Sequence, residues 1–572
     1  MKIYNQPVEL IINMPPANLK SLASLNLKKQ LSDAGVPVET ILNKSVKMPA
    51  GKKSAARSFP AATKEKIYVR TKIKDSEMNP WDLAHLASKS VGAQMSFIEP
   101  DFLQEFAVNN NLSSGYKTRQ SKGLAKSIAR STGDNGFDPD WKPQQNTIWH
   151  LGDDFSQLKS AREAVDGINY IVRVGHLDTG YDPTHTALPD AARINKLQRN
   201  FVEGEDPLDA HDPRKDGMLR MPGHGTGTLA LLAGTKVNLI TDDGLFNDYL
   251  GGAPFADVVC CRISPSVILF KTSAFAEALN YLTGLTNSGT PVHVVSMSMG
   301  GAPAKAWSEA VNAAYEAGIV LVTASGNNYS GIPTQHVIYP ARFGRVIAAC
   351  GVTNDLRPYH HNKPGEMEGC YGPERHMSKA LSAFTPNTPW ASGSASLIKF
   401  SGAGTSSATP QIAAAAAIYY KKFNGELDRL EPWQRVEAIR YALYKSASKT
   451  AKPIGTFKNS FGNGLLKAND ALSIPVKIIT RKTPADSMPW FPILTTIFRA
   501  LPGEEPNNKM TMFNTELAQL VYYYPDLAVL IDNEKKPYNK VTKTQWKQFK
   551  DAVIQHPGAS VTLKKYLMSA HP

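Results

Sequence analysis

Apolar and polar residues alternate at two places early in the chain, at Val8, Leu10 and Ile12 and again at Ile67, Val69, Thr71 and Ile73. A period of two predicts half-buried strands. Between them Leu19, Ala23, Leu27 and Leu31 recur every four residues, which predicts a helix that Gly35 stops. Val36 to Val46 is a second extended run, weakened by Pro37. Asn79-Pro80 sets a cap residue and an N1 proline before a helix over 81–90, and Met95 to Ile98 closes the unit. The order strand, helix, strand, strand, helix, strand is the ferredoxin-like arrangement of a small α+β domain.

Further on, the apolar runs become continuous. Val172 to Leu177, Val292 to Val295 and Ile319 to Val322 read as fully buried strands, and Leu229 to Ala233 and Ala413 to Ala417 as apolar helices. The expectation is an α/β domain whose mostly parallel sheet is flanked by helices. After about residue 475, Leu517, Leu520, Val521 and Tyr524 take helical spacing, and Trp546, Phe549 and Val553 repeat it, as a core-facing stripe does. The expected divisions are 1–107, a linker over 108–144, a main domain over 145–475 and a helical C-terminal extension over 476–572. That extension is expected to pack on the main domain or to recruit a protein partner.

Polar residues stand where those runs end. Asp178 follows a strand and precedes Thr179-Gly180, at the end of a parallel strand where sites gather. His224, between Gly223 and Gly225, opens the helix over 229–233. Asn327 closes the strand from Ile319 after Ser325-Gly326, and Ser298-Met299-Gly300-Gly301 leaves another strand. Gly404-Thr405-Ser406-Ser407-Ala408-Thr409-Pro410 is a glycine turn presenting a serine at the start of a small-residue helix, where the helix end carries positive potential. Each alone fits a turn or a cap. An acid, a base, an amide and a serine, in that order at element ends, together describe a nucleophilic site.

These segments resemble the subtilisin-like serine peptidases, the subtilases. Asp-Thr-Gly after a strand, Gly-His-Gly-Thr, Ser-Met-Gly-Gly, Ser-Gly-Asn and Gly-Thr-Ser-x-Ala-x-Pro stand in the family's order, joined by Ile338-Tyr339-Pro340-Ala341, over roughly residues 145 to 475. Ser407 and Thr409 depart from the commoner Met and Ser without removing a reactive group. The resemblance implies a serine endopeptidase. Ser406 would attack the peptide carbonyl, His224 carry the proton, Asp178 orient the imidazole, and Asn327 with the Ser406 N–H hold the oxyanion. It also implies a peptide cleft lined by Ser298, Met299, Gly300 and Gly301, facing Ala324, Ser325 and Gly326, with Ile338 at the pocket floor favouring small or medium apolar P1 residues. A catalytically inactive peptide-binding scaffold is the alternative, against which the intact set of four residues argues.

The N-terminal unit in turn resembles subtilase propeptides, which cover the cleft as inhibitors, with Glu99-Pro100-Asp101-Phe102 at its end. An unrelated α+β accessory domain has the same element order. Loop formers and five basic side chains (Lys117, Arg119, Lys122, Lys126 and Arg130) mark the linker as the expected place of processing. No cofactor is needed for such chemistry. The acidic loop with Glu203, Glu205, Asp206, Asp209 and Asp212 suggests a structural calcium, whereas Arg214 and Lys215 partly neutralise it and favour a solvated loop.

Composition bears on surroundings. The net charge is +14, and residues 1–135 carry 20 Lys and Arg against 11 Asp and Glu, a net of +9. No zinc knuckle, RNP-like aromatic motif or P-loop accompanies that charge, which argues against nucleic acid as the partner. Met1 to Pro7 lacks the apolar run of a signal peptide, and the apolar stretch Trp490 to Phe498 is too short to span a bilayer. Cys260 and Cys261 are adjacent on one strand and so point to opposite faces, making them poor disulfide partners. Free buried thiols fit a cytoplasmic location.

Overall fold

The computed structural model describes residues 8–14, 27–33, 35–42, 67–73, 78–90, 97–105, 138–141, 148–194, 196–213, 221–241, 244–267, 269–329, 331, 334–361, 366–392, 395–489, 491–494, 508–531 and 540–569. The basic residues of the expected processing region lie outside them, as do Leu19, Ala23, Arg214, Lys215 and residues 495–498.

The N-terminal domain comprises strand β1 (Glu9–Met14), helix α1 (Leu27–Asp33), strands β2 (Val38–Leu42) and β3 (Ile67–Ile73), helix α2 (Pro80–Ser90) and strand β4 (Phe97–Pro100). The sheet order is β2-β3-β1-β4 with antiparallel neighbours, the ferredoxin-like order. The N–H of Trp81 donates to Asn79 Oδ1 at 2.9 Å, so the Asn-Pro pair starts α2 as a cap should. Leu10 and Ile12 bury in this domain's core with Trp81, Leu83 and Ile98, while Ile11 points the other way into an apolar cluster of the main domain. The sheet is therefore buried on both faces.

The main domain is built on seven parallel strands: β6 (Arg173–Asp178), β7 (Arg199–Asn200), β8 (Asp257–Arg262), β10 (Val294–Met297), β11 (Val320–Ala324), β12 (Ile347–Val352) and β13 (Ala380–Phe384). Their order is β13-β12-β11-β10-β6-β8-β7. The short strand β9 (Leu269–Lys271) stands outside this sheet. Helices α3 (His224–Ala233) and α6 (Thr405–Lys422) share one core with one set of strand side chains. Helices α4 (Thr272–Asn287) and α5 (Lys305–Glu316) share the core on the opposite face. Cys260 belongs to the first core and Cys261 to the second, as strand parity requires, and all four cysteines are buried free thiols. Strand order reverses beside β6: β7 and β8 lie on one side of it, and the later strands β10 to β13 continue on the other. Such a switch point opens a crevice at the carboxyl ends of the strands.

Two structures join the domains. Strand β5 (Leu103–Glu105) pairs antiparallel with β9. The C-terminal extension, with helices α7 (Asn508–Tyr523), α8 (Lys543–Gln555) and α9 (Val561–Ser569), buries Phe513, Leu517, Leu520, Val521, Phe549 and Val553 in a core of its own. The extension meets the main domain, as through Gln519 and Pro303, and also packs against the N-terminal domain, with Met512 inside that domain's core. No helix among the described residues is long and apolar enough to cross a membrane.

Candidate active site

Asp178 is the last residue of β6, His224 the first of α3 and Ser406 the second of α6. The close approach of α3 to the Asp178 loop needs Gly225, because a Cβ there would meet Gly180 O at 2.0 Å. His224 Nδ1 and Asp178 Oδ1 are 2.7 Å apart. A carboxylate only accepts, so the proton sits on Nδ1 and leaves Nε2 as the acceptor. Asp178 Oδ1 also accepts the Thr179 N–H at 2.7 Å, and its Oδ2 accepts the Thr228 hydroxyl at 3.0 Å. Burial alone would raise this carboxyl; His224, His176 and the Thr179 N–H outweigh it and hold Asp178 below its ordinary value.

Behind the carboxylate lies His176, whose Nε2 is 2.8 Å from Thr228 Oγ1. Since Thr228 donates to Asp178, it accepts from His176, which fixes the Nε2–H tautomer. Burial lowers His176 to about 4, so it is a neutral imidazole at physiological pH. Arg262 lies opposite Asp178 in the β8–β6 register, donates to the Thr179 carbonyl, and grips Glu205 through two nitrogens at 2.7 and 2.9 Å. None of Thr228, His176 or Arg262 was singled out from sequence, since each acts through a neighbour and carries no motif of its own.

The serine turn is held from both sides. Gly404 has φ +77° and lies so close to the Asn327 amide that a Cβ would come within 2.8 Å of Nδ2. Asn327 Oδ1 accepts the Thr405 N–H at 2.9 Å, which turns Nδ2 away from that bond and keeps its donors. Helix α6 starts at Thr405, so Pro410 stands in its second turn. A proline there leaves the carbonyl four residues earlier without its helical donor. That carbonyl belongs to Ser406, and the Ser298 hydroxyl donates to it at 3.1 Å. Ser406 Oγ in turn donates to Ser298 O at 3.3 Å, so its proton must leave that carbonyl before it can pass to His224.

Ser298, Met299, Gly300, Ala324, Gly326, Asn327, Ile338, His224 and Ser406 line one cavity of about 50 Å³. Gly301 and Ser325, expected in its walls, do not line it. Gly301 exchanges backbone hydrogen bonds with Tyr339, and the Ser325 hydroxyl turns back to Cys370 O at 2.6 Å. Ile338 Cδ1 sits between the walls, 2.6 and 2.8 Å from where a Cβ on Gly300 or Gly326 would be. Trp390, unmarked in the sequence, also lines the cavity and meets the His224 ring edge-on at 5.5 Å between centroids.

The acidic loop is engaged by other groups of the chain itself. Glu205 pairs with Arg262, Glu203 with Lys271 and Arg70, and Asp209 with His211, while Asp212 Oδ2 accepts the Gly223 N–H at 2.6 Å. Among the described residues the group with metal-ligand proximity lies elsewhere, at Asp138, Asp140 and His361. There the imidazole nitrogens reach Asp138 at 3.1 Å and Asp140 at 2.9 Å, fastening the end of the linker to the main domain.

The sequence profile of the Subtilase family matches residues 171–464. Subtilisin DY of Bacillus licheniformis is 30% identical over 304 residues, covering 52% of this chain and 90% of that protein. Subtilisin Savinase of Lederbergia lenta is 29% identical over 52% of this chain and 90% of its own length. An intracellular serine protease of Paenibacillus polymyxa is 26% identical over 52% of this chain and 78% of its own length. With its seven-stranded parallel sheet and this match, the chain belongs to the subtilase family of serine proteases.

Proposed function

We propose that the protein is a latent serine endopeptidase acting through an acyl-enzyme. Ser406 attacks the peptide carbonyl, His224 Nε2 takes its proton and returns it to the leaving amine, and Asp178 orients the imidazole and stabilises its cation. Asn327 Nδ2 and the Ser406 N–H, at the start of α6, hydrogen-bond the oxyanion. The observation that carries this reading is the 2.7 Å His224–Asp178 contact behind a cavity shared by His224, Ser406 and Asn327. Ile338 filling the space between Gly300 and Gly326 supports small or medium apolar P1 side chains. Buried free thiols support work in a reducing, cytoplasmic compartment.

Latency rests on the N-terminal domain. Glu99 accepts the N–H groups of Lys305 and Ala306 at 3.0 and 2.8 Å, at the start of α5. Asp101 accepts the Ser273 N–H at 2.9 Å and its hydroxyl at 2.6 Å, at the start of α4. Two helix N-termini of the main domain thus receive acids from this domain. Pairing of β5 with β9 runs from Leu103 opposite Lys271 to Glu105 opposite Leu269, toward Val267 on the cavity wall. The domain lays its end along the cleft as an added strand.

A serine-directed fluorophosphonate probe tests both parts. The parent should label, faster once residues 1–137 are removed, and Ser406→Ala should not label at all. Equal labelling of parent and Ser406→Ala overturns the nucleophile; labelling unchanged by removal of the domain overturns latency.

A further inference from the structure

We infer that the C-terminal extension is a docking surface for the chain's own N-terminal domain, holding it over the cleft whether or not the connection through residues 106–137 is intact. The inference rests on the latency proposed above and identifies what maintains it.

The contacts are specific. Asp82, on the second position of α2's first turn after Pro80, accepts the N–H groups of Val561 and Thr562 at 2.8 Å each and the Thr562 hydroxyl at 2.6 Å. A side chain of the N-terminal domain therefore occupies the first N–H groups of α9, while Ser560 caps Leu563 from within the extension at 3.0 Å. Asn79 Nδ2 donates to Gly558 O at 3.0 Å on the same edge. Gln519 on α7 joins all three parts of the molecule. Its Oε1 accepts the Trp81 indole N–H at 3.0 Å, and its Nε2 donates to Pro303 O of the main domain at 3.0 Å. Trp81 and Gln519 are only 2% and 3% exposed, so neither bond can be exchanged for water while the parts stay together.

Apolar packing points the same way. Met512 of α7 is fully buried in the core formed by Leu10, Ile12, Trp81 and Ile98, so the extension completes the small domain's core. Phe513 meets the His85 ring at 4.7 Å between centroids. A four-stranded domain of this size gains a sizeable share of its burial from such a partner.

The connection, by contrast, is bracketed by independent anchors. Before it, β5 is paired to β9; after it, Asp138 and Asp140 hold His361. The contacts made by Asp82, Asn79, Trp81 and Met512 join the N-terminal domain to the extension directly. Cutting the connection leaves every one of them in place. Departure of the severed domain then needs the extension to let go, which separates processing from loss of the domain.

The test uses the full chain carrying Ser406→Ala, so that it cannot cut itself, with a site for a specific protease placed between residues 115 and 125. After complete cutting, gel filtration under native conditions should find the N-terminal fragment co-migrating with the remainder. Asp82→Ala and, on the opposing surface, Gln519→Ala should each release it at least tenfold faster, and Asp82→Asn, which keeps one acceptor oxygen, should fall between. A fragment that separates on cutting, or that leaves at the same rate from parent and from both variants, overturns the inference. A parallel cut sample retaining Ser406 keeps the two proposals distinct. Retention without any fluorophosphonate labelling after denaturant-driven release and refolding would sink the nucleophile and leave the clamp. Immediate labelling with loss of the fragment would sink the clamp and leave the nucleophile.

Discussion

The N-terminal domain is gripped on two faces by different means. Toward the main domain the contact is rich in charge: Glu99 and Asp101 sit on helix starts, and Arg70, Glu9, Lys271 and Glu203 form a largely buried ion network. Toward the extension the contact is mostly apolar, with Trp81, Met512 and Phe513 at its centre and Asp82 as its capping acid. A face built on buried charge depends on pH and tolerates no missing partner, because a lone buried ion or N–H costs more than the pair gains. Apolar burial is insensitive to pH and its loss is graded by area, so on the second face only the hydrogen bonds of Asp82, Asn79 and Trp81 depend on single partners. One face can therefore respond to conditions while the other keeps the domain nearby.

The largest break in this contrast should come from Glu99→Ala combined with Asp101→Ala. It leaves the N–H groups of Lys305, Ala306 and Ser273 without these acceptors. At ~1.5 kcal/mol or more for each acid's charge-assisted bonding, the cleft should be exposed roughly a hundredfold more of the time. Fluorophosphonate labelling of the uncut chain should accelerate accordingly, while gel filtration still shows an intact, compact chain. Labelling at the parent rate would mean that the charged face does not govern access.

The next effect is that of pH, with opposite signs in two regions. Burial raises Glu99 from an ordinary 4.5 to about 7, against the pull of the Ala306 and Lys305 N–H groups. Docking therefore takes up a proton between those values, so the grip is tightest in acid, weakens as pH rises to about 7, and then levels off. Glu99→Gln keeps an acceptor and should flatten this dependence in a labelling series from pH 5 to 8. Within the main domain, burial lowers His176 and His293 to about 4 and His150 to about 3, the last with help from Arg162. These imidazoles are neutral when folded, and the unfolded chain gains protons below its ordinary value of 6.5. Stability is thus full above 6.5 and lost as pH falls toward 4, by up to ~1.4 kcal/mol per pH unit for each group. Urea melts at pH 7 and pH 5 should show the loss, and His176→Phe should reduce its slope by one proton.

The site was more legible in sequence than these faces, for a physical reason. Asp178, His224, Asn327 and Ser406 stand at strand ends and helix starts, where glycine turns and caps leave local marks in the chain. Alternation at Leu10 and Ile12 likewise marked a strand, though not that Ile11 would also be buried. Ser325 and Gly301 fall outside the cavity because they bond to Cys370 and Tyr339, partners far along the chain that no local pattern marks. Thr228 and Arg262 work only through contacts across the sheet. The apolar stripe of α7 announced a helix but not what covers it. Trp81 and Gln519 meet across 438 residues of chain, and no local pattern encodes such a pairing.

The smallest change tests whether the second face is as apolar as it looks. Trp81→Phe keeps an aromatic ring in the core with Met512 and removes only the indole N–H that Gln519 accepts at 3.0 Å. Losing one neutral buried hydrogen bond should cost ~1 kcal/mol, about a fivefold faster release of the severed domain. Labelling of the uncut chain should barely move, because Glu99 and Asp101 still hold the charged face. Trp81→Ala, which also empties the ring's volume, should cost ~3 kcal/mol or more in the domain's own stability. If Phe and Ala released the domain equally fast, the hydrogen bond to Gln519 rather than the buried area would carry this face, and the contrast between charged and apolar grips would collapse.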